Sequence, residues 1–246
     1  MRREDTTLGG SASRLPETVS DLISRAGNDS PETRRQALEE LCGRYWKPVY
    51  CSIRSRWAKS NEDAKDLTQG FFLSLVEGNA LAGYLPARAS FRTFLKLLLK
   101  RFLQDDEKAS QRQKRGGGIH LLELDGERVP WEELLQDAGS QDPERLFDLA
   151  WRESLVSRAV ARVRERLLSG DRPDRFRVYE AYELSSGPEE PTYASVAARF
   201  GIKESDVLNH LAAVREEIRK EIRAELAGMT FGSAQLEEEW DAFFRA

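Results

Sequence analysis

Apolar side chains in residues 89–115, ASFRTFLKLLLKRFLQDDEKASQRQKR, recur at the spacing of an α-helix. Phe91, Phe94, Leu95, Leu98 and Phe102 fall on one stripe, which a helix buries against a core. Arg92, Lys96 and Lys100 step by four beside it and therefore share one side of the same helix. Arg101, Lys108, Arg112, Lys114 and Arg115 add positive charge, opposed within the stretch only by Asp105, Asp106 and Glu107. A helix seated by one face and loaded with cations on another can lie along a phosphate backbone.

The concentration of cations matters because the chain as a whole is acidic. It carries 38 Lys and Arg against 42 Asp and Glu, a formal net charge of −4, so any nucleic-acid binding must come from local patches. With 246 residues, 40% hydrophobic and 33% charged, the chain can bury a real core in one or two domains. No apolar run is long enough to span a bilayer. The start, MRREDTTLGGSASRLP, lacks the apolar centre of a signal peptide, so a cytoplasmic protein is expected. Cys42, Cys51, His120 and His210 are the only residues of their types and their spacing matches no zinc site; the two cysteines read as small core residues. The run Gly116–Gly118 lacks the Lys-Ser/Thr and the strand context of a phosphate loop and reads as a flexible joint. No nucleophile stands beside a plausible base; no catalysis, metal or cofactor is expected.

Along the chain, residues 1–15 read as disordered and 18–26 as a short helix with Val19, Leu22 and Ile23 inward. Ser30-Pro31-Glu32-Thr33 is a helix start. The helix that follows carries Ala37, Leu38, Leu41, Tyr45, Trp46, Val49, Tyr50, Ile53 and Trp57 at core spacing, with Pro48 inside it. Asn61 reads as the cap of the next helix, Asp63 and Asp66 suit its first turns, and Gly78 and Asn79 end it. The loop 79–90 offers Tyr84 for stacking and Arg88 as a cation. Residues 116–141 form a joint that holds a possible short strand from His120 to Leu124 and amphipathic turns near Trp131. A second helical unit follows, with Arg158, Arg162, Arg164 and Arg166 making its first helix basic toward the end. A short helix, a turn at Gly201 and a long helix over 203–226 place Val196, Ala197, Ile202, Val207 and Leu211 as a helix-turn-helix does. The tail, with three successive glutamates before Trp240, Phe243 and Phe244, either docks as an amphipathic helix or stays disordered. The expected fold is all-α. Two helical domains, 16–115 and 142–228, are joined by the linker 116–141 and followed by an extension, 229–246.

Three segments, DAKDLTQGFFLSL (63–75), YLPARASFRTFL (84–95) and TYASVAARFGIKESDV (192–207), together resemble the bacterial sigma-70 family. The likeness is to small two-domain sigma factors of the extracytoplasmic-function type and spans about residues 16–228. The first segment is similar to the family's DAEDLVQETFL signature and the second to Y-D-P-x-R-G-S-F-R-x-W-L. The resemblance implies an alternative sigma factor, not an enzyme, with core RNA polymerase and promoter DNA as partners. Asp63, Asp66, Gln69 and Phe72 would then dock on the polymerase clamp helices. Tyr84, Arg88, Ser90, Arg92, Lys96 and Lys100 would hold the melted −10 strand. Lys203, Glu204, Ser205, Leu208 and Asn209 would meet the −35 element in the major groove.

The chain also departs from that pattern. Lys65 stands where the family often has an acid, Gly70 where it usually has Glu, and Thr68 where an aliphatic is usual. A phosphothreonine would restore about −1.5 to −2 charges. Thr68 is therefore the candidate target of a serine/threonine kinase, as in a kinase-linked subgroup; an anti-sigma factor is the other possible regulator. Leu208, Ala212, Ala213, Glu216 and Glu217 occupy positions where cations are usual, and acids are unfavourable beside DNA, so only the first turns of this helix are expected to enter the groove. The competing expectation is a sigma-like adaptor that binds protein partners and has lost promoter recognition.

Overall fold

The computed structural model describes residues 19–26, 30–57, 60–77, 80–113, 142–185 and 190–244, and every regular element among them is helical. The first half comprises α1 (Val19–Ala26), α2 (Pro31–Trp57), α3 (Asn61–Glu77), a 3-10 turn (Ala80–Gly83) and α4 (Phe91–Gln113). The second half comprises α5 (Pro143–Ser169), α6 (Pro173–Glu183), α7 (Tyr193–Phe200), α8 (Glu204–Met229) and α9 (Gly232–Phe244). The expected disordered start, the joint 116–141 with its candidate strand, Gly78, Asn79, Lys114, Arg115 and the side chains of Lys108 and Arg112 lie outside the described residues.

Helix α2 is the common wall. It has 27 residues, about 40 Å at 1.5 Å per residue, and continues through Pro48. Helices α1 and α3 pack on it from the first half and α5 from the second. Phe71, Phe91, Phe147, Trp151, Phe176 and Leu211 therefore belong to one continuous apolar cluster with Tyr45 and Val49 of α2. The units on either side of residues 116–141 share a core.

Local chemistry sets the helix ends. Ser30 Oγ accepts from the Thr33 N–H at 3.5 Å at the start of α2. Ser60, not Asn61, caps α3: its Oγ accepts from the Asp63 N–H at 3.1 Å, while Asn61 Oδ1 accepts from the Tyr50 hydroxyl at 2.7 Å. On α4 the buried row is Phe91, Leu95, Leu99 and Leu103, with Phe94, Leu98 and Phe102 partly buried at its flank. The stripe thus holds every expected residue and is wider than expected by Leu99 and Leu103.

Helices α5 and α8 are joined by a ladder of charge. Arg158, Arg162 and Arg166 meet Glu225, Glu221 and Glu217 at successive four-residue steps. Arg158 Nε donates to Glu225 Oε1 at 2.8 Å, and Arg162 Nη1 donates to Glu225 Oε2 at 3.1 Å and Glu221 Oε1 at 3.2 Å. Arg166 donates to Glu217 at 3.0 Å and Glu221 at 3.2 Å. Glu225 is 2% exposed, so its charge depends on these arginines.

Replacing Glu225 with Ala strips Arg158 of this carboxylate and leaves Arg162 with Glu221, and is expected to cost about 3 kcal/mol. Glu216→Ala, which breaks only the exposed pair with Arg219, is expected to cost under about 1 kcal/mol. Urea unfolding of the two variants measures the difference.

Candidate nucleic-acid and polymerase interface

The start of α4 collects the cations that the sequence assigns to DNA. Helix α4 brings no acid to its own first turn. The carboxylates come from elsewhere: Arg92 Nη1 donates to Asp148 Oδ1 of α5 at 2.9 Å, and Arg92 Nη2 lies 2.9 Å from Glu239 Oε2 of α9. The Arg92–Glu239 contact is an ion pair whose angles do not make it a hydrogen bond, since Glu239 Oε2 has no hydrogen-bond partner. The Arg92 guanidinium also sits 4.5 Å from the centroid of the Trp151 ring, a cation–π contact. Lys96 Nζ donates to both Asp148 oxygens, at 3.2 and 3.1 Å. Arg92 and Lys96 are therefore covered here by carboxylates of the chain itself rather than presented to a phosphate strand. Lys100 and Arg88 are exposed.

Tyr84 and Ser90 are also turned inward. The Tyr84 ring lies edge-on to Phe91 at 5.3 Å and tilted against Phe94 at 5.2 Å. Burial, with Glu239 adding to it, pushes its phenol up to about 12. It is a core side chain, not a ready stacking platform. Ser90 is buried as the cap of α4, its Oγ accepting from the Thr93 N–H at 3.3 Å.

On α3, Asp63 and Asp66 are exposed, as is Lys65 between them, and Gln69 is half-buried. Phe72 is not a surface contact: it is buried, stacked on Trp46 at 5.9 Å and edge-on to Phe71 at 5.5 Å. Thr68 is fully buried, and its Oγ1 donates to the Ala64 carbonyl at 2.7 Å. In this packing a kinase cannot reach that hydroxyl. A Cβ at Gly70 would meet the Phe102 ring at 3.5 Å, ordinary contact.

The helix-turn-helix is built as its spacing predicts. Thr192 and Ser195 cap α7 reciprocally, the Ser195 N–H donating to Thr192 Oγ1 at 3.1 Å and the Thr192 N–H to Ser195 Oγ at 3.0 Å. Gly201 takes φ 66° at the turn, where a side chain would be strained. Val196, Ala197, Val207 and Leu211 are buried between the helices. Lys203, Glu204, Ser205, Leu208 and Asn209 are all exposed on the first turns of α8, Leu208 by 47%. Farther along, Glu217 pairs with Arg166 and Lys220, and Glu216 pairs with Arg219. Arg215 is engaged by Glu183 of α6, which raises its pKa.

Asp148, Glu239 and Trp151 escaped the sequence reading because they lie far along the chain from Arg92. The ladder had a signal: arginines at 158, 162 and 166 and glutamates at 217, 221 and 225 share one period. Among the described residues no group of His, Cys, Asp and Glu could hold a metal ion, and no helix is long and apolar enough to cross a membrane. Burial pushes the Cys42 and Cys51 thiols up to about 12, as befits core residues. A cavity of about 10 Å³ beside Arg92, Trp151 and Glu239 is no larger than one water needs.

The family model described as ECF sigma factor matches residues 16–224. No curated protein and no solved structure matches the chain. Helix α9 lies beyond the matched stretch.

The burial of Thr68 sets opposite expectations for two substitutions. Thr68→Val keeps the shape and loses one hydrogen bond, about 1 kcal/mol, and should lower Tm by about 2–4 °C. Thr68→Glu forces a carboxylate into the core and should lower Tm by about 10 °C or more. Thermal melts that leave Thr68→Glu as stable as the parent would show that this side chain faces solvent.

Proposed function

Because the chain belongs to the ECF sigma factor family, whose model covers residues 16–224, we propose that it binds bacterial core RNA polymerase through the acids of α3 and recognises promoter DNA through α4 and α8. It is an alternative sigma factor, a protein that directs transcription. In the finer reading, Asp63 and Asp66 meet cations on the polymerase clamp. Arg88 and Lys100, with Arg92 and Lys96 once uncovered, hold the −10 strand by its phosphates. Lys203, Glu204, Ser205, Leu208 and Asn209 meet the −35 element, where Asn209 can pair with an adenine edge and Leu208 can touch a thymine methyl.

The observation that carries this reading is the division of labour along α8. Its first turns are exposed behind a well-formed helix-turn-helix, whereas Glu217, Glu221 and Glu225 are drawn toward the arginines of α5. Of the two acids that argued against DNA binding from the sequence, Glu217 pairs across the helices with Arg166 and Glu216 pairs with Arg219 of its own helix. Thr68 enters only as a residue that α3 would have to expose before any kinase could modify it. Partners of the regulatory kind, a serine/threonine kinase or an anti-sigma factor, stay part of this reading without a site of their own.

A second reading, an adaptor that binds protein partners without reading promoters, draws support from the covering of Arg92 and Lys96. Transcription from random-sequence templates by purified core polymerase plus this chain separates the two. The sigma reading predicts a selected promoter class; the adaptor reading predicts polymerase binding with no selection.

Asp63→Lys combined with Asp66→Lys is expected to weaken core-polymerase binding at least about tenfold, because close interfacial charge pairs carry roughly 1.5–7 kcal/mol of coupling. Asn209→Ala should leave that affinity unchanged and relax preference at one −35 base by about 1–3 kcal/mol. Fluorescence anisotropy with labelled core polymerase and the template selection read the two effects separately.

A further inference from the structure

Helix α9 touches both halves of the molecule. Toward the first half, Gln235 Nε2 donates to the Pro86 carbonyl at 3.4 Å, in the turn that carries Arg88. In the same direction Glu239 lies against Arg92. Toward the second half, Glu237 pairs with Arg223 of α8. The Arg223 guanidinium lies 5.1 Å from the Trp240 ring centroid, and Phe243 meets Trp151 of α5 edge-on at 6.3 Å. Glu239 is only 8% exposed. A carboxylate that buried needs a cation, and the cation beside it is one that the promoter-binding reading assigns to DNA.

We propose that α9 is an intramolecular clasp that masks the DNA-binding end of α4, and that its release exposes Arg92 to promoter phosphate. This rests on the promoter-binding reading given above. With α9 in place, Arg92 faces two carboxylates and the Trp151 ring. With α9 released, it keeps the Trp151 ring and the single, partly exposed Asp148 of α5, against which a phosphate competes for a guanidinium on favourable terms. The clasp is the weakest-held part of this junction. Phe147 and Trp151 fix α5 to the core with at most 1% exposure. In contrast, α9 leaves Phe244 largely exposed and holds on through the single buried anchor Phe243, the half-buried Leu236 and Trp240, and ion pairs. Partly buried ion pairs come close to break-even against hydration, so detaching α9 costs little compared with unfolding either half. The clasp also lies outside the stretch that the family model matches.

The test uses the full chain with Glu239→Lys, which sets like charges against each other at Arg92, and with Phe243→Ala, which removes the anchor on Trp151 without adding charge. Hydrogen exchange over residues 84–96 reports release; anisotropy of a short fluorescent single-stranded DNA reports exposure of the cations. Both variants should exchange faster there and bind the DNA about tenfold or more tightly, the gain expected when a competent state populated at about 10% becomes dominant. Arg92→Ala added to either variant should abolish the gain. Unchanged exchange in both variants overturns the clasp alone. A gain confined to Glu239→Lys, or one that survives Arg92→Ala, also overturns it, since an added lysine attracts DNA by itself. Faster exchange without DNA binding in any variant overturns the promoter-strand reading beneath it.

Discussion

The guanidinium of Arg92, held between Asp148 and Glu239 and over Trp151, ties α4, α5 and α9 into one body. A cation at the start of a helix is disfavoured by the helix dipole, and one this covered is disfavoured again by lost hydration. Both costs are offset only because carboxylates from two other helices arrive at the same point. Lys96 repeats the arrangement one turn on, against Asp148. The positive face of α4 is therefore present, as a promoter-binding helix requires, but part of it is answered from within the chain.

The ladder between α5 and α8 works by the same logic at a different place. Arginines and glutamates at matching four-residue steps turn each helix's charged stripe toward the other. Glu217, Glu221 and Glu225 are drawn toward α5, so the exposed start of α8, with Lys203, Glu204, Ser205, Leu208 and Asn209, is set apart from that charge farther along. A helix that looks poorly suited to DNA by its composition becomes suited at one end by its packing. Internal ion pairing thus hides cations on α4 and hides anions on α8, with opposite consequences for binding.

Much of the architecture was legible because helical period and turn chemistry are local. The helix start at Ser30, the turn at Gly201 and the apolar positions of the helix-turn-helix all follow from residues within a few positions of one another. The cap at Ser60 rather than Asn61 shows the limit of that logic, since two adjacent residues can both cap and Tyr50 decides between them. The candidate site was less legible. Tyr84, Ser90, Phe72 and Thr68 have the chemistry for stacking, phosphate contact, docking or modification, yet their burial is set by Phe91, Phe94, Trp46 and the neighbouring helices. Arg92 finds Asp148 at a separation of 56 residues, which no pattern within α4 can announce. By contrast, Asp63, Asp66 and the first turns of α8 were placed on the surface correctly, because helix phase alone determines that they point away from the core.

The account holds that α9 is closed over the start of α4 in the free chain and lifts away when promoter DNA takes Arg92. Spin labels at two exposed positions, Lys100 on α4 and Glu238 on α9, measure that directly by pulsed dipolar spectroscopy. The expected result is one narrow distance distribution in the free chain that lengthens when core RNA polymerase and promoter DNA are added. A distribution that stays the same in that complex, or that is already long and broad in the free chain, would contradict it.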